Sequence, residues 1–378
     1  MEEKEVRAKM GVEELGRKVI FSIKPYVPGK PVEEVQRELG IVDVVKLASN
    51  ENPLGPSPQA IEAMKEALNR VNCYPDSNCY YLKKDLALHL GCSEDNLIFG
   101  NGSDELLKLI AEAFLNPGEE VIVGKPTFSE YEFVAKVMDA KTVEVPLKDD
   151  FTFDLEGMLR KVNARTKVIF LCNPNNPTGT IITSQELLEF IDRLPDDVIV
   201  VLDEAYYEYV TDPLYPDSLE LVKKGKNVIV LRTFSKIYGL AGLRIGYGIA
   251  KPEIISMIHR VREPFNVNLL AQEAARASIK DKNHLMNSKK LVEMGREYLY
   301  KAFDRLGLKY IPTQTNFIFL DVKCDSVALF NSLLKKGVIV RTGDIFGYPT
   351  YIRVTIGTQE QNERFIKCLE MSLDEVRS

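Results

Sequence analysis

The sequence predicts an α/β protein: a large domain whose mostly parallel sheet is covered by helices, joined to a smaller α+β domain. Three observations predict it. Lys167–Cys172, Val198–Leu202 and Val228–Leu231 are almost wholly apolar and rich in β-branched residues, as strands buried on both faces are. Helical patterns over Ser184–Arg193 and Leu219–Lys224 separate them, the alternation that builds a parallel sheet. Beyond about residue 262 the character changes to long amphipathic helices followed by short strands. The division that follows is a large domain over residues 46–261 and a small domain formed by residues 1–45 with 262–378.

From the N-terminus, Val12, Leu15, Val19 and Ile20 make an amphipathic helical pattern, and Lys24–Pro31 is a proline-punctuated arm. Lys46–Pro58 is irregular, a helix begins near Gln59, and Tyr74-Pro-Asp76 is a turn bearing an exposed aromatic. So many polar and aromatic residues on proline-stiffened coil suggest a binding wall, with a plain connector as the alternative. Asn96–Glu105 reads as strand, glycine turn and helix start; Leu106, Leu107, Ile110 and Phe114 form that helix's apolar face, and Asn116-Pro-Gly118 ends it. The three apolar strands come next. After residue 262 the predicted elements are helices Leu269–Ile279 and Ser288–Leu306, a strand at Asn316–Leu320, a helix at Ser326–Lys335, strands Val338–Arg341 and Tyr351–Ile356, and a helix at Gln359–Leu373.

Composition narrows the function. The 378 residues can bury a large core, and 45% hydrophobic with 28% charged residues is an ordinary globular balance. A net charge of −6, with no basic tract interleaved with aromatics, argues against nucleic-acid binding. Anionic ligands must then be held by local arginines. Met1–Val6 is acidic without a signal-peptide core, and no run approaches the roughly 18 apolar residues of a membrane span, so a cytoplasmic protein is expected. The six cysteines are scattered without CxxC pairs or histidine partners, which fits reduced thiols and no metal site. His89, His259 and His284 fall on helix-like segments away from every motif.

The chemistry gathers at strand ends. A lysine just past a parallel strand lies at the carboxyl edge of the sheet, where α/β folds bind ligands. Lys236 is flanked by Thr233 and Ser235 and followed eight residues on by Arg244 among small residues. That set suits a phosphorylated aldehyde: the amine joins the aldehyde, while the hydroxyls and guanidinium hold the phosphate. A surface lysine and a structural arginine in a glycine-rich turn are the plainer alternative. Gly102, Ser103 and Asp104 fall at a helix N-terminus, where free N–H groups bind phosphate, unless Ser103 or Asp104 serves only as an N-cap. If the three strands are parallel, Asn176, Asp203, Tyr206 and Lys236 reach one edge. A buried carboxylate such as Asp203 is costly unless it meets a cation, and a protonated pyridine nitrogen would be one; a cap or a loop ion pair is its plainer reading. Arg341 and Arg353, on or beside strands, are each either a surface ion pair or an anion clamp; for Arg353, amid Ile352, Val354 and Ile356, the need for a partner favours the clamp.

Taken together, Asn173-Pro-Asn-Asn-Pro-Thr-Gly179, Asp203-Glu-Ala-Tyr206 and Ser235-Lys-x-x-x-Leu-x-Gly-x-Arg244 resemble fold-type I aminotransferases that use pyridoxal 5′-phosphate, over nearly the whole chain. Pro25–Pro31, Asn50-Glu-Asn-Pro53, Glu263–Asn268 and Tyr351–Thr358 are similar to the histidinol-phosphate aminotransferases among them. The resemblance implies that Lys236 is the covalent lysine and proton shuttle. Asp203 would pair with the pyridine nitrogen, and Tyr206 and Asn176 would bond the ring's phenolic oxygen. The backbone at Gly102, Ser103 and Asp104, the hydroxyls of Thr233 and Ser235, and Arg244 would hold the cofactor phosphate. Phe128 would stack on the ring, where the wider superfamily often has Tyr or Trp. Tyr74 would reach the phosphate in the neighbouring subunit of a homodimer; Cys73 before it departs from a common arginine. Arg353 would bind glutamate's carboxylate, Arg341 and Arg353 together the phosphate of histidinol phosphate, and Tyr26 would lie near its imidazole. Three functions stay open. They are amino transfer between histidinol phosphate and 2-oxoglutarate in histidine biosynthesis, the same cofactor acting on aromatic amino acids or decarboxylating threonine phosphate, and a non-catalytic regulatory module. The last is disfavoured by Lys236 and by the absence of a helix-turn-helix before the first motif.

Overall fold

The apolar runs pair side by side because each is buried on both faces. In the computed structural model, which describes residues 12–23 and 30–377 except the side chain of Glu14, alternate residues of each run enter different cores. Val228 and Val230 belong to one, Ile229 and Leu231 to the other, and all four are fully buried. Each such side chain contributes roughly 1.5–3 kcal/mol by leaving water, so packing outweighs strand propensity, which spans only about 1 kcal/mol.

In chain order the strands are β1 (Val45–Lys46), β2 (Leu97–Gly100), β3 (Glu120–Lys125), β4 (Lys141–Pro146), β5 (Thr166–Cys172), β6 (Ile199–Asp203), β7 (Val228–Thr233), β8 (Gly246–Ile249), β9 (Lys309–Ile311), β10 (Phe317–Asp321), β11 (Val338–Ile339), β12 (Arg341–Thr342) and β13 (Tyr351–Thr355). The large sheet has the order β2-β8-β7-β6-β5-β3-β4. Pairs β3–β4, β3–β5, β5–β6 and β6–β7 are parallel, while β8 runs against both its neighbours. Cys172 faces Asp203, and Asp203 faces Leu231, so β5, β6 and β7 end at one edge. Because β2 runs in the same direction as β7, the helix Ser103–Phe114 begins at that edge too.

The second sheet, β12-β13-β10-β9, is antiparallel throughout. The N-terminal segment joins it: Val45 pairs with Val338 in a parallel bridge, and Thr355 N–H donates to Leu47 O at 2.8 Å. Helix Val32–Leu39 adds Val35 to a small core with Ala48, Leu334 and Ile339. Helix Leu269–Ser278 packs against Pro58–Ala67, a helix capped by the Ser57 hydroxyl.

Several boundaries differ from the sequence expectations. The stretch Val338–Arg341, read as one strand, changes partner at Val340: β11 pairs with β1, and β12 joins the antiparallel sheet. The helix expected from Ser288 starts at Lys282, because the Asp281 carboxylate accepts the His284 N–H and caps it. The sequence expectations contain no strand at β1, β3, β4, β8 or β9; β4 is a largely solvated edge with little apolar signal. Near the N-terminus the amphipathic pattern becomes one helical turn, Val12–Leu15, and a 3₁₀ turn, Lys18–Ser22. No helix among the described residues is long and apolar enough to cross a membrane.

Candidate active site

The carboxyl edge of the large sheet and one end of the antiparallel sheet enclose a cavity of about 460 Å³. At its floor is an anion cradle. Gly102, with φ of 85°, is the N-cap of helix Ser103–Phe114. Ser103 and Asp104 are therefore the first helical residues, not caps, and their backbone N–H groups belong to the unsatisfied first turn. A Cβ on Gly102 would sit 2.4 Å from Arg244 Nη2, and one on Gly246 2.6 Å from Ser103 N, so the cradle depends on glycine at both places. Arg244 donates to Ser235 Oγ at 3.4 Å and to Asp104 Oδ2 at 3.0 Å, and the Ser235 N–H donates to Thr233 Oγ1 at 3.0 Å. Helix start, two hydroxyls and one guanidinium thus converge as the sequence spacing had suggested.

Asp203 ends β6 with its carboxylate buried. Its Oδ2 accepts from the Tyr131 hydroxyl at 2.8 Å and its Oδ1 from the Ala205 N–H at 3.1 Å. Burial raises its pKa to about 6 even against those two donors. Such a group favours a cationic partner. Lys236 is also buried; its amine donates to Ser49 O at 3.2 Å. Burial, followed by the charge of Arg353, lowers its pKa to about 8, which makes a neutral amine accessible near neutral pH. The Tyr206 hydroxyl oxygen accepts from Asn50 Nδ2 at 2.9 Å, and Phe128 lines the same cavity, edge-on to Tyr131 at 5.7 Å.

At the opposite wall Arg341 of β12 and Arg353 of β13 are direct cross-strand partners. Arg353 Nη1 donates to Asn176 Oδ1 at 2.6 Å and Nη2 to Ala48 O at 2.7 Å, which ties the antiparallel sheet to the end of β5. The structure therefore gathers Ser103, Asp104, Phe128, Asn176, Asp203, Tyr206, Thr233, Ser235, Lys236, Arg244, Arg341 and Arg353 around one cavity. Gly102 lies directly behind it. Tyr74 is elsewhere, 84% exposed and stacked on Phe265 with centroids 4.8 Å apart. Tyr26 lies outside the described residues.

Sequence reasoning missed Tyr131; it placed Ala48–Asn50 within the Lys46–Pro58 binding wall but gave those three residues no role. Asn50 also falls in Asn50-Glu-Asn-Pro53, whereas Tyr131, in the helix Glu130–Val137 that follows Phe128, carries no motif. Both contact the site through side-chain or carbonyl groups whose direction is set by tertiary packing.

A fold of this topology, with a buried lysine, a buried carboxylate and an anion cradle at one strand edge, is that of a group-transfer enzyme built for a phosphorylated cofactor. The model of the aminotransferase class I and II family matches residues 42–369, and the chain belongs to that family. It is 60% identical to the histidinol-phosphate aminotransferase of Moorella thermoacetica, over 93% of this chain and 92% of that one. It is 52% identical to the enzyme of the same name from Caldicellulosiruptor saccharolyticus, over 94% and 99%. The crystal structure of histidinol-phosphate aminotransferase from Sinorhizobium meliloti, in complex with pyridoxal-5′-phosphate, superposes with a TM-score of 0.88 at 29% identity, covering 95% of this chain and 97% of that one.

Proposed function

We propose that this chain is a pyridoxal-phosphate-dependent transaminase that exchanges an amino group between L-histidinol phosphate and 2-oxoglutarate, giving imidazole-acetol phosphate and glutamate, in histidine biosynthesis. The observation that carries the substrate assignment is the facing pair Arg341 and Arg353 in the cavity that also holds Lys236 and Asp203. Two guanidinium forks at one wall offer the paired hydrogen bonds that match a phosphate dianion. The names of the relatives at 60% and 52% identity support the same reading.

The residues fit the cofactor: the glycine-dependent cradle suits its phosphate, and the buried Asp203 carboxylate suits its ring nitrogen. When bound, pyridoxal phosphate supplies an electron sink for the pair left at the substrate's α-carbon. Ser103, Ser235 and Arg244 anchor the phosphate end, with Thr233 orienting the Ser235 backbone. Asp203, held as an anion by Tyr131 and the Ala205 N–H, keeps a proton on the ring nitrogen. Phe128, which lines the cavity, would stack on the ring. Lys236, whose amine burial makes part-neutral near neutral pH, would hold and move the proton at the substrate's α-carbon. Arg353 receives glutamate's carboxylate and, with Arg341, the phosphate of histidinol phosphate. Asn176, already bonded to Arg353, links that clamp to the ring's oxygen, and Tyr26 approaches the imidazole.

The active form is a cytoplasmic homodimer in which Tyr74 reaches the neighbouring subunit's cofactor. This rests on its exposure away from its own cavity and on the uncovered apolar residues Val12, Leu15 and Val71. The β1–β11 bridge supports grouping the N-terminal segment with residues 262–378 as the small domain, beside a large domain of 46–261.

Measuring kcat/KM for amino transfer from histidinol phosphate, beside phenylalanine and phosphothreonine, tests the reading. Histidinol phosphate should be preferred; a preference for phenylalanine, or release of carbon dioxide from phosphothreonine, would overturn it.

A further inference from the structure

Ala48, Ser49 and Asn50 form a strap from β1 to the cavity, and each grips a different group of the site. Ala48 O accepts from Arg353, Ser49 O accepts from Lys236, and Asn50 Nδ2 donates to Tyr206 Oη at 2.9 Å. Asn50 is 2% exposed, and its φ of 57° is a left-handed conformation that Asn, Asp and Gly adopt with least strain.

The contacts of Asn50 fix its orientation. The backbone N–H of Asn50 donates to Thr355 Oγ1 at 3.0 Å, and the Thr355 hydroxyl donates to Asn50 Oδ1 at 3.1 Å. The side-chain carbonyl faces Thr355 and the amide NH₂ faces Tyr206. Tyr206 Oη accepts from that NH₂, so its own proton must point elsewhere. The open space beside it is the cavity, which Asn50 and Tyr206 both line.

We infer that Asn50, oriented by Thr355, is a positioning residue that makes the Tyr206 hydroxyl a dedicated proton donor into the cavity. It rests on the function proposed above, under which the acceptor is the phenolic oxygen of pyridoxal phosphate. Asn50 thus connects the substrate-clamp strand β13, through Thr355, to the cofactor's electronics. The titratable groups around the phenol are Arg353, Asp203, Cys172, Tyr209 and Lys236. None of them changes in the variants that test the idea.

The test is the pH midpoint at which the bound cofactor's visible absorption changes, measured on the holoenzyme and on Asn50→Asp, Asn50→Gly, Thr355→Val and Tyr206→Phe. A donor on the ring oxygen favours its anionic form, so losing that donor raises the midpoint. Aspartate keeps the left-handed backbone but would accept the tyrosine's proton and add a negative charge. Its midpoint should rise by about one unit or more, a tenfold change in the protonation constant. Glycine keeps the backbone and removes only the polarising NH₂, and valine removes the group that orients it; both should give smaller rises. Tyr206→Phe should lie between these two and Asn50→Asp. An Asn50→Asp midpoint equal to wild type, with Tyr206→Phe raised, overturns the role of Asn50 and leaves the proposed function intact. An unshifted Tyr206→Phe midpoint instead removes Tyr206 from the cofactor's oxygen. Should Asn50→Asp fail to bind cofactor, wild-type midpoints in both Asn50→Gly and Thr355→Val overturn the inference.

Discussion

Among the charged residues that meet between neighbouring strands of this molecule, two pairs are treated in opposite ways. Glu204, one residue past β6, accepts from Arg232 of β7 at 2.8 and 2.9 Å, and Tyr207 covers the guanidinium at 3.6 Å from its ring centroid. Both members are sealed from water. Arg341 and Arg353 stand opposite each other with the same charge at the wall of the cavity. The first pair cancels its own field and fixes the ends of β6 and β7, one residue from Asp203 and one from Thr233. The second presents two guanidiniums to one wall of the cavity. Burial alone does not separate scaffold from site, since Arg353 is itself only 7% exposed. What differs is that the scaffold pair joins opposite charges, whereas the cavity pair sets two like charges across from each other.

The comparison can be broken first at the residues that react. Lys236→Ala should lower transamination by at least ~10⁴-fold, because it removes both the covalent amine and the base at the α-carbon; near wild-type turnover would dissolve the whole site. For Asp203→Asn, kcat should fall by several orders of magnitude while the cofactor-free protein gains stability. The folded carboxyl's pKa of about 6 lies above its ordinary value of 3.8, so its stabilising contribution is complete at low pH and is lost as pH rises through about 6. The asparagine variant escapes that loss, and urea denaturation should find it more stable by about 3 kcal/mol at pH 7 but not near pH 4. Equal stability at both would mean that the carboxylate is solvated.

Arg232→Met sharpens the contrast from the scaffold side. Stranding Glu204 in the core should cost about 3–5 kcal/mol of stability, and replacing both partners with apolar residues should recover most of it. The kcat per folded site should stay within a few-fold of wild type. A loss of kcat without a loss of stability would move this pair out of the scaffold.

Much of this was legible in the sequence where chemistry and periodicity coincide. Strands β5, β6 and β7 announce themselves because both faces are buried, and Asp203, Tyr206 and Lys236 follow from their positions at the strand ends. The edge strand β4 is half solvated and shows little pattern. Tyr131 and Asn50 were not legible for a different reason. Their roles depend on which way a hydroxyl and an amide point, and that direction is set by residues 72 and 305 positions away. The break at Val340 was hidden because Val338–Arg341 is one continuous extended run whose two halves bond to different sheets.

The smallest and most discriminating effect concerns Arg341. Histidinol phosphate brings a phosphate dianion and no carboxylate, whereas glutamate brings carboxylates, so one pocket must accept anions of two shapes. Arg353 is fixed by Asn176 and Ala48 and lies nearer the chemistry, through its effect on Lys236. Arg341 stands at the outer strand, where a larger dianion would extend. A hydrogen bond to a charged group is worth roughly 1.5–3 kcal/mol, so Arg341→Ala should reduce kcat/KM for histidinol phosphate by about ten- to a hundredfold. The half-reaction with glutamate, followed by the change in cofactor absorbance in single turnovers, should fall much less. Arg353→Ala should damage both half-reactions. If Arg341→Ala lowered the two equally, the facing arginines would be a general clamp, and phosphate selection would have to lie in another part of the cavity.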